Sequence, residues 1–498
     1  MGSYFRHCIF LILFTLLLPG CADLNLQPGG STLELFPKYN FTNLPFDQYW
    51  TGISFNGSKI GFSHLKITPD PELNNIFVLE TESIMAFRLQ GYDKQIVLKS
   101  RDRVRQDLSL VDFVYEFQLD GTTMLLQGAT EYDGLRVLHT VGSDSIEILK
   151  RFSGTIYPFS VMGLFPSFKG LQKGRRFSYT VFDGESQTLS QVEQEILAYE
   201  ESDLFTGKAY KIRSTLQGQE VEVWICEHGL PVLEMTMGGL FISDLQTEEG
   251  ARNYLAEATL NKSEAFLEFS LIKVEDNIEE PHRARSMGLS LQGVPESFIP
   301  PAPTKYQSCT NRNGTLECRT NATGSLRGNG LQDDELAKKL ALQATHVVPK
   351  DNEEIRELAK QVTTGGQSGA EKVEKILAWM AENIGQTPAD VFSALDVLHS
   401  RKAECQGHAF LFAALARSQG LPTRVVNGIV YSDLYKGFLY HTWVEVLLEQ
   451  GWLPVDPTFN QAPADATHLK LVEGEILTDL APLIDMVGKL KVKDISVQ

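Results

Sequence analysis

Between residues 47 and 270 the chain is cut at intervals by two-residue turn signals, Asn56-Gly57, Asp120-Gly121, Asp133-Gly134 and Asp183-Gly184. Such pairs supply the positive φ angles of tight hairpins. The runs between them, 111–119 and 176–181 for example, are rich in β-branched and aromatic residues with partial alternation, the mark of half-buried strands. Helical periods are scarce here. A stretch punctuated in this way folds as a large antiparallel sheet, curved into a half-barrel or doubled as a sandwich. It shows no catalytic constellation: His139, His228 and the scattered acids read as surface or edge residues, so this part is expected to bind, space or dock.

At 498 residues the chain is long enough for two or three domains. A formal net charge of −18 argues against nucleic acid as a partner, because that affinity comes from cationic contacts to phosphate. After residue 20 no run reaches the 18 or more apolar residues of a membrane span. The first 20 residues differ: Arg6 precedes an apolar core at 9–18, the pattern of a cleaved secretory signal. Leu18-Pro19-Gly20-Cys21 resembles the bacterial lipobox. That resemblance implies a lipidated Cys21 after removal of residues 1–20, a tether over 21–46, and a bacterial envelope location. With Ala22 rather than Asp after the cysteine, it implies the periplasmic face of the outer membrane. The membrane partner is then a lipid anchor, not a span.

Beyond the β-rich region, drawn as 47–279, residues 280–332 contain Glu279-Glu280-Pro281 at their edge, Ile299-Pro300-Pro301-Ala302-Pro303 and a Gly-rich end. They read as a linker. Cys309 and Cys318, nine apart in a polar stretch, are the expected disulfide of an oxidising compartment. Cys226 lies in a strand-like run and reads as a structural thiol. From 333 to 498 apolar residues fall at helical spacing (Leu336, Leu340, Leu342; Ile355, Leu358, Ala359, Val362; Val373, Ile376, Leu377, Met380, Ile384) and then give way to a β-rich run over 424–471. That order predicts an α+β domain.

Cys405 opens about fourteen residues of good helix formers, apolar on nearly every face and stopped by Gly420 and Pro422. A cysteine at the amino end of a buried helix meets unpaired N–H groups and the positive end of the dipole, which stabilise the nucleophilic thiolate. A base and an orienting acid are then required. His441 lies in an alternating run over 440–446, and Asp456 in the run that returns after Glu449-Gln450-Gly451. A two-residue turn at Glu449-Gln450 would set Trp443 opposite Asp456 and make His441 and Asp456 diagonal neighbours on one face; a three-residue turn would separate them. His408, three residues after Cys405, is expected to pack or hydrogen-bond rather than act as base. Asp465 and His468 resemble a second acid–histidine pair, expected at a sheet edge or facing substrate, and Glu404 reads as solvated or capping.

Cys405, His441-Thr442-Trp443, Trp452, Asp456-Pro457-Thr458 and Ala464-Asp465-Ala466-Thr467-His468 resemble the transglutaminase-like superfamily of papain-type cysteine enzymes over 390–474. Ala403 and Thr442 depart from the residues usual at their positions. The resemblance implies an attack by Cys405 on an amide carbonyl, proton transfer by His441, orientation by Asp456, and a thioester passed to water or an amine. It implies a protein or peptide substrate in the envelope and no cofactor. The alternative is a non-catalytic envelope scaffold, or a lipid- or protein-binding lipoprotein, that retains the fold.

Overall fold

A computed structural model describes residues 37–498 apart from 90–91, 120–121, 142–143, 185–186, 262–263, 276, 327–334, 388–390, 476 and 485. Residues 1–36, with the expected signal segment and Cys21, lie outside the described residues.

The turn-punctuated region forms one sheet of 15 strands. Its middle strand, Gln48–Phe55, pairs with Ser58–Pro69 on one side and Phe241–Gln246 on the other. From there one arm meanders outward to Asp144–Arg151 and the other runs to Ile156–Pro158. Among the described residues these two outermost strands do not pair with each other, so the sheet is curved but not closed. Its arms meet through side chains instead. Val104 and Leu108 pack in one cluster with Tyr179, Val181 and Val192, and the Phe113 and Phe182 rings lie 4.9 Å apart. Burial of this apolar surface is what curls the sheet.

Two features of this region differ from the sequence reading. A helix, Glu248–Asn261, lies across the middle strands. There Gly52 is required, because a Cβ at that position would come within 2.5 Å of the Tyr254 ring. His139 is not a surface residue. It is buried, on the same face of its strand as the core residues Leu135 and Val137, with its ring 6.3 Å from that of His346 in the C-terminal domain.

The C-terminal domain is built on a five-stranded sheet. Gly437–Leu448 is its spine, paired along one side with Thr423–Ser432, which in turn pairs with Leu469–Glu473. The helices Glu353–Val362, Gly369–Asn383, Ala394–Ser400 and Cys405–Ser418 share a core with Val425, Val444, Val446 and Val455 of these strands. Two of the helices begin where a side chain satisfies the orphan N–H groups: Asn352 caps the first, and Ser368 with Glu371 forms a reciprocal capping box on the second. The Glu335–Leu340 helix does not bury the face its spacing predicts, since Leu336 and Leu340 are both exposed.

Over residues 280–326 the expected linker is instead folded. Ser286–Gln292, Gln307–Arg312 and Thr315–Asn321 join the strand Lys491–Val497 in a four-stranded sheet. Its Met287, Leu289, Leu291 and Leu316 form a second core with Ile429, Tyr431, Phe438 and Leu469. The proline cluster over 299–303 lies in the connection between the first two of these strands rather than in a tether. Cys309 and Cys318 stand directly opposite each other across one hairpin of this sheet and are bonded, S–S 2.08 Å.

Candidate active site

Cys405 is the first residue of the helix Cys405–Ser418, with Glu404 at the cap position in extended conformation. Every residue from Gly407 to Arg417 is buried, so the helix is fixed on all sides and its amino end is held in place. Gly407 allows this closeness: a Cβ there would lie 2.7 Å from Ala403 and 2.8 Å from Val391.

The helix end meets the strand Gly437–Leu448 at a break in the sheet edge. On that side Ile272–Lys273 pairs with Gly437 and Phe438, and Gly451–Val455 pairs with 444–448. Among the described residues no strand pairs with 439–443 on this edge. The Thr442 backbone N–H, free of a ladder partner there, donates to the Cys405 sulfur. By strand alternation, His441 and Trp443 project to the same face, and their rings stack 6.0 Å apart.

The hairpin turn contains two residues, Glu449 and Gln450, with Leu448 opposite Gly451. In this register His441 Nε2 lies 2.8 Å from Asp456 Oδ2. Asp456 is fully buried. Its Oδ1 accepts the backbone N–H groups of Thr458, at 2.7 Å, and Phe459, at 3.2 Å. Phe459 also stacks on the His441 ring, 5.0 Å away. Two near-parallel aromatic rings thus restrict the imidazole. Nε2 points at the carboxylate, which leaves Nδ1 for the thiol.

Electrostatics follow this geometry. Burial pushes the Cys405 thiol up, but the charge and hydrogen bond of His441 and the Thr442 N–H outweigh it, and the thiol titrates below its ordinary value. Burial pushes His441 down, yet the Asp456 carboxylate and the thiolate hold it well above the usual imidazole range. For Asp456 burial opposes ionisation, and the His441 and His468 contacts overcome it, so the carboxylate stays charged far below the usual range.

What sequence reasoning missed about His468 is its partner. The residue directly precedes the edge strand Leu469–Glu473. It is buried, and its Nε2 lies 2.9 Å from the same Asp456 oxygen. The signal was present but incomplete: Asp465-x-x-His468 was visible, whereas the pairing that swings it inward was not. Gly428 stands opposite His441 in one neighbouring strand and Lys470 in the other, so His468 arrives beside the triad. The approach is close enough that a Cβ on Gly428 would lie 2.0 Å from the Leu469 carbonyl oxygen. His408, as expected, packs: it is buried, with Nδ1 3.0 Å from the Glu404 carbonyl. Trp443 and Trp452 are core, the latter stacked under the Arg424 guanidinium at 4.0 Å.

One group of side chains has the composition of a metal-ligand set. Ligand atoms of His441, Asp456 and His468 all lie within 4.8 Å of one another. However, both Nε2 atoms are aimed at a single carboxylate oxygen at hydrogen-bond length, 2.8 and 2.9 Å, rather than at a shared point about 2 Å from each. Protons, not an ion, fit this arrangement.

Residues 356–457 match the transglutaminase-like superfamily. The kyphoscoliosis peptidase of Mus musculus is 30% identical over 156 residues, covering 28% of this chain and 22% of that protein. A protein-glutamine gamma-glutamyltransferase of Pseudomonas aeruginosa is 38% identical over 73 residues, covering 13% of this chain and 11% of that one. The chain therefore spans less than a quarter of the length of these curated relatives. Among solved structures, a beta-barrel-like protein from Brucella abortus aligns with 40% of this chain and 95% of its own, at 8% identity and a TM-score of 0.30. The C-terminal part of this chain, behind its open 15-stranded sheet, carries a transglutaminase-like domain.

Proposed function

We propose that the protein is a cysteine enzyme that transfers acyl groups from peptide or amide bonds, held at the bacterial envelope by a lipid on Cys21. The observation that carries this is the convergence of Cys405, at a helix amino end, with His441 and a fully buried Asp456. The thiolate adds to an amide carbonyl, and the developing oxyanion is met by N–H groups at the helix end, that of Cys405 first. His441 gives its proton to the departing amine, leaving a thioester on Cys405. It then takes a proton from the incoming water or amine, whose attack releases the acyl product and restores the thiolate–imidazolium pair. The names of the two relatives divide between these acceptors, a peptidase and a glutamyltransferase, and both chemistries pass through the same thioester.

The test is turnover of envelope proteins and cell-wall peptides by the wild type and by Cys405→Ala, with and without an added primary amine. Hydrolysis or amine incorporation that vanishes in the variant supports the proposal. Turnover that survives in a folded variant overturns it. Labelling with radioactive palmitate, lost in Cys21→Ala, tests the anchor separately.

A further inference from the structure

Every neighbour of the His468 ring nitrogens is an acceptor. Nε2 faces Asp456 Oδ2 at 2.9 Å, and Nδ1 faces the Asp465 backbone carbonyl and Asp465 Oδ1, both at 3.2 Å. A neutral imidazole has one donor and one acceptor nitrogen, and it would leave one of these contacts as two facing lone pairs. Only the doubly protonated ring satisfies both sides. Asp465 is built to stay ionised for this purpose. Its Oδ1 accepts the Thr467 hydroxyl at 2.6 Å and backbone N–H at 2.9 Å, and its Oδ2 accepts the Gln461 amide at 2.9 Å.

We propose that His468 is a standing imidazolium locked between Asp465 and Asp456, and a positioning residue that moderates the hold of Asp456 on His441. The inference rests on Cys405 and His441 acting as nucleophile and base. Asp456 offers one oxygen to two imidazoles, so its charge is shared. The His441 and His468 rings lie 5.8 Å apart, and the fixed cation disfavours a second one on His441. With Asp456 facing His441 alone, the imidazolium would be held too tightly to give its proton readily to a leaving amine.

The remaining charged groups around His468 do not change this sign. Lys470 and Glu445, which share a small cavity of about 20 Å³ with His468 and Asp465, are paired with each other at 2.7 Å. Arg424 also binds Glu445, at 2.6 Å. His282, mostly exposed, reaches Asp465 Oδ2 at 3.4 Å. The row His282, Asp465, His468, Asp456, His441, Cys405 thus runs from solvent to the nucleophile through alternating basic and acidic groups.

The experiment uses the full chain in two ways. In protein labelled with 15N-histidine, imidazole correlation spectra are expected to show both His468 nitrogens protonated from pH 6 to 8. A neutral tautomer at pH 7 overturns the proposal. Separately, the rate of Cys405 alkylation by iodoacetate, an anion drawn to the imidazolium, is followed against pH in the wild type, His468→Gln and Asp465→Asn. Gln retains a donor toward Asp456 without the charge. In a variant whose circular dichroism is native, the alkaline limb is expected to move up by about 1–2 pH units, the scale of a unit charge at this separation. An unmoved limb in a folded variant overturns the proposal while leaving Cys405 as nucleophile. A wild-type Cys405 that alkylates no faster than Cys226 defeats the functional proposal instead, and the nitrogen spectra then decide the state of His468 alone.

Discussion

Leu448 stands opposite Gly451, and this one pairing places His441 and Asp456 on a common face. One more residue in the turn would shift every later side chain of the returning strand to the other face. The acid of the triad would then point away from its histidine. The site's precision is therefore held by a backbone register, with Glu449 and Gln450 themselves exposed and making no part of the chemistry.

Replacing Cys405 by Ala or Ser is expected to lower kcat/KM by at least about 10³-fold, with little change in urea midpoint. Loss of activity accompanied by loss of the unfolding transition would instead mark Cys405 as a packing residue.

Asp456→Asn leaves both imidazoliums facing a neutral amide in a buried site. Removing one partner of such a buried arrangement costs about 3–5 kcal/mol, and misorienting the base lowers turnover by about 10³–10⁴-fold. Denaturant unfolding and initial rates measure the two effects independently.

The pH profile follows from the directions of the shifts. With the thiol lowered by His441 and Thr442 against burial, and His441 raised by Asp456 and Cys405 against burial, the thiolate–imidazolium pair exists between the two values. Iodoacetate alkylation of Cys405 should rise as pH climbs through the lowered thiol value and fall as it passes the raised imidazole value. A single rise at the ordinary thiol pKa would show that the pair is not formed.

Gly407→Ala is expected to act at a distance of two residues. Its methyl would meet Ala403 and the Val391 and Val397 side chains at 2.7 to 3.0 Å, on a helix buried on all sides. Overpacking of this kind costs about 1–3 kcal/mol, and any relief shifts the helix end. A fall in Tm together with slower Cys405 alkylation is the expected pair of results.

Cys309→Ser with Cys318→Ser opens a short loop, closed in the chain across nine residues. Loop-closure entropy for that length is worth about 2–3 kcal/mol. Since this hairpin lies in the outer sheet, thermal stability should drop while the Cys405 alkylation profile stays put.

How far the sequence disclosed this molecule depended on the range of the determining interaction. The Asn56-Gly57 turn, with φ of 47° and 78°, and the Cys405 helix are local: an Asn-Gly pair, a helical apolar run and a Gly-x-Pro stop carry their own geometry, whereas the turn beside Asp133-Gly134 falls one residue earlier, with Glu131 opposite Gly134. The His441–Asp456 relationship was also local, since a turn of known length fixes a register. His468 depended on which strand settles beside Gly428, and the 280–332 region depended on a partner strand near residue 491. Its alternation of Ser286, Ser290 and Gln292 with Met287, Leu289 and Leu291 was legible as a strand, but the surrounding prolines and glycines outweighed it. For His139 the alternation with Leu135 and Val137 already pointed inward, whereas its neighbour His346 lies far along the chain.

The pairing of Ser286–Gln292 with Lys491–Val497 also sets an order of events during synthesis. At roughly 5–20 residues per second, about 200 residues of separation amount to a wait of roughly 10–40 s. Throughout it, one edge of the early strand is open, and the core behind the triad lacks its outer wall. The helix that begins at Cys405 is made well before that wall can close. The arrangement of Cys405, His441 and Asp456 is thus a late product of translation, and a ribosome paused short of residue 491 would hold all three residues without a completed site.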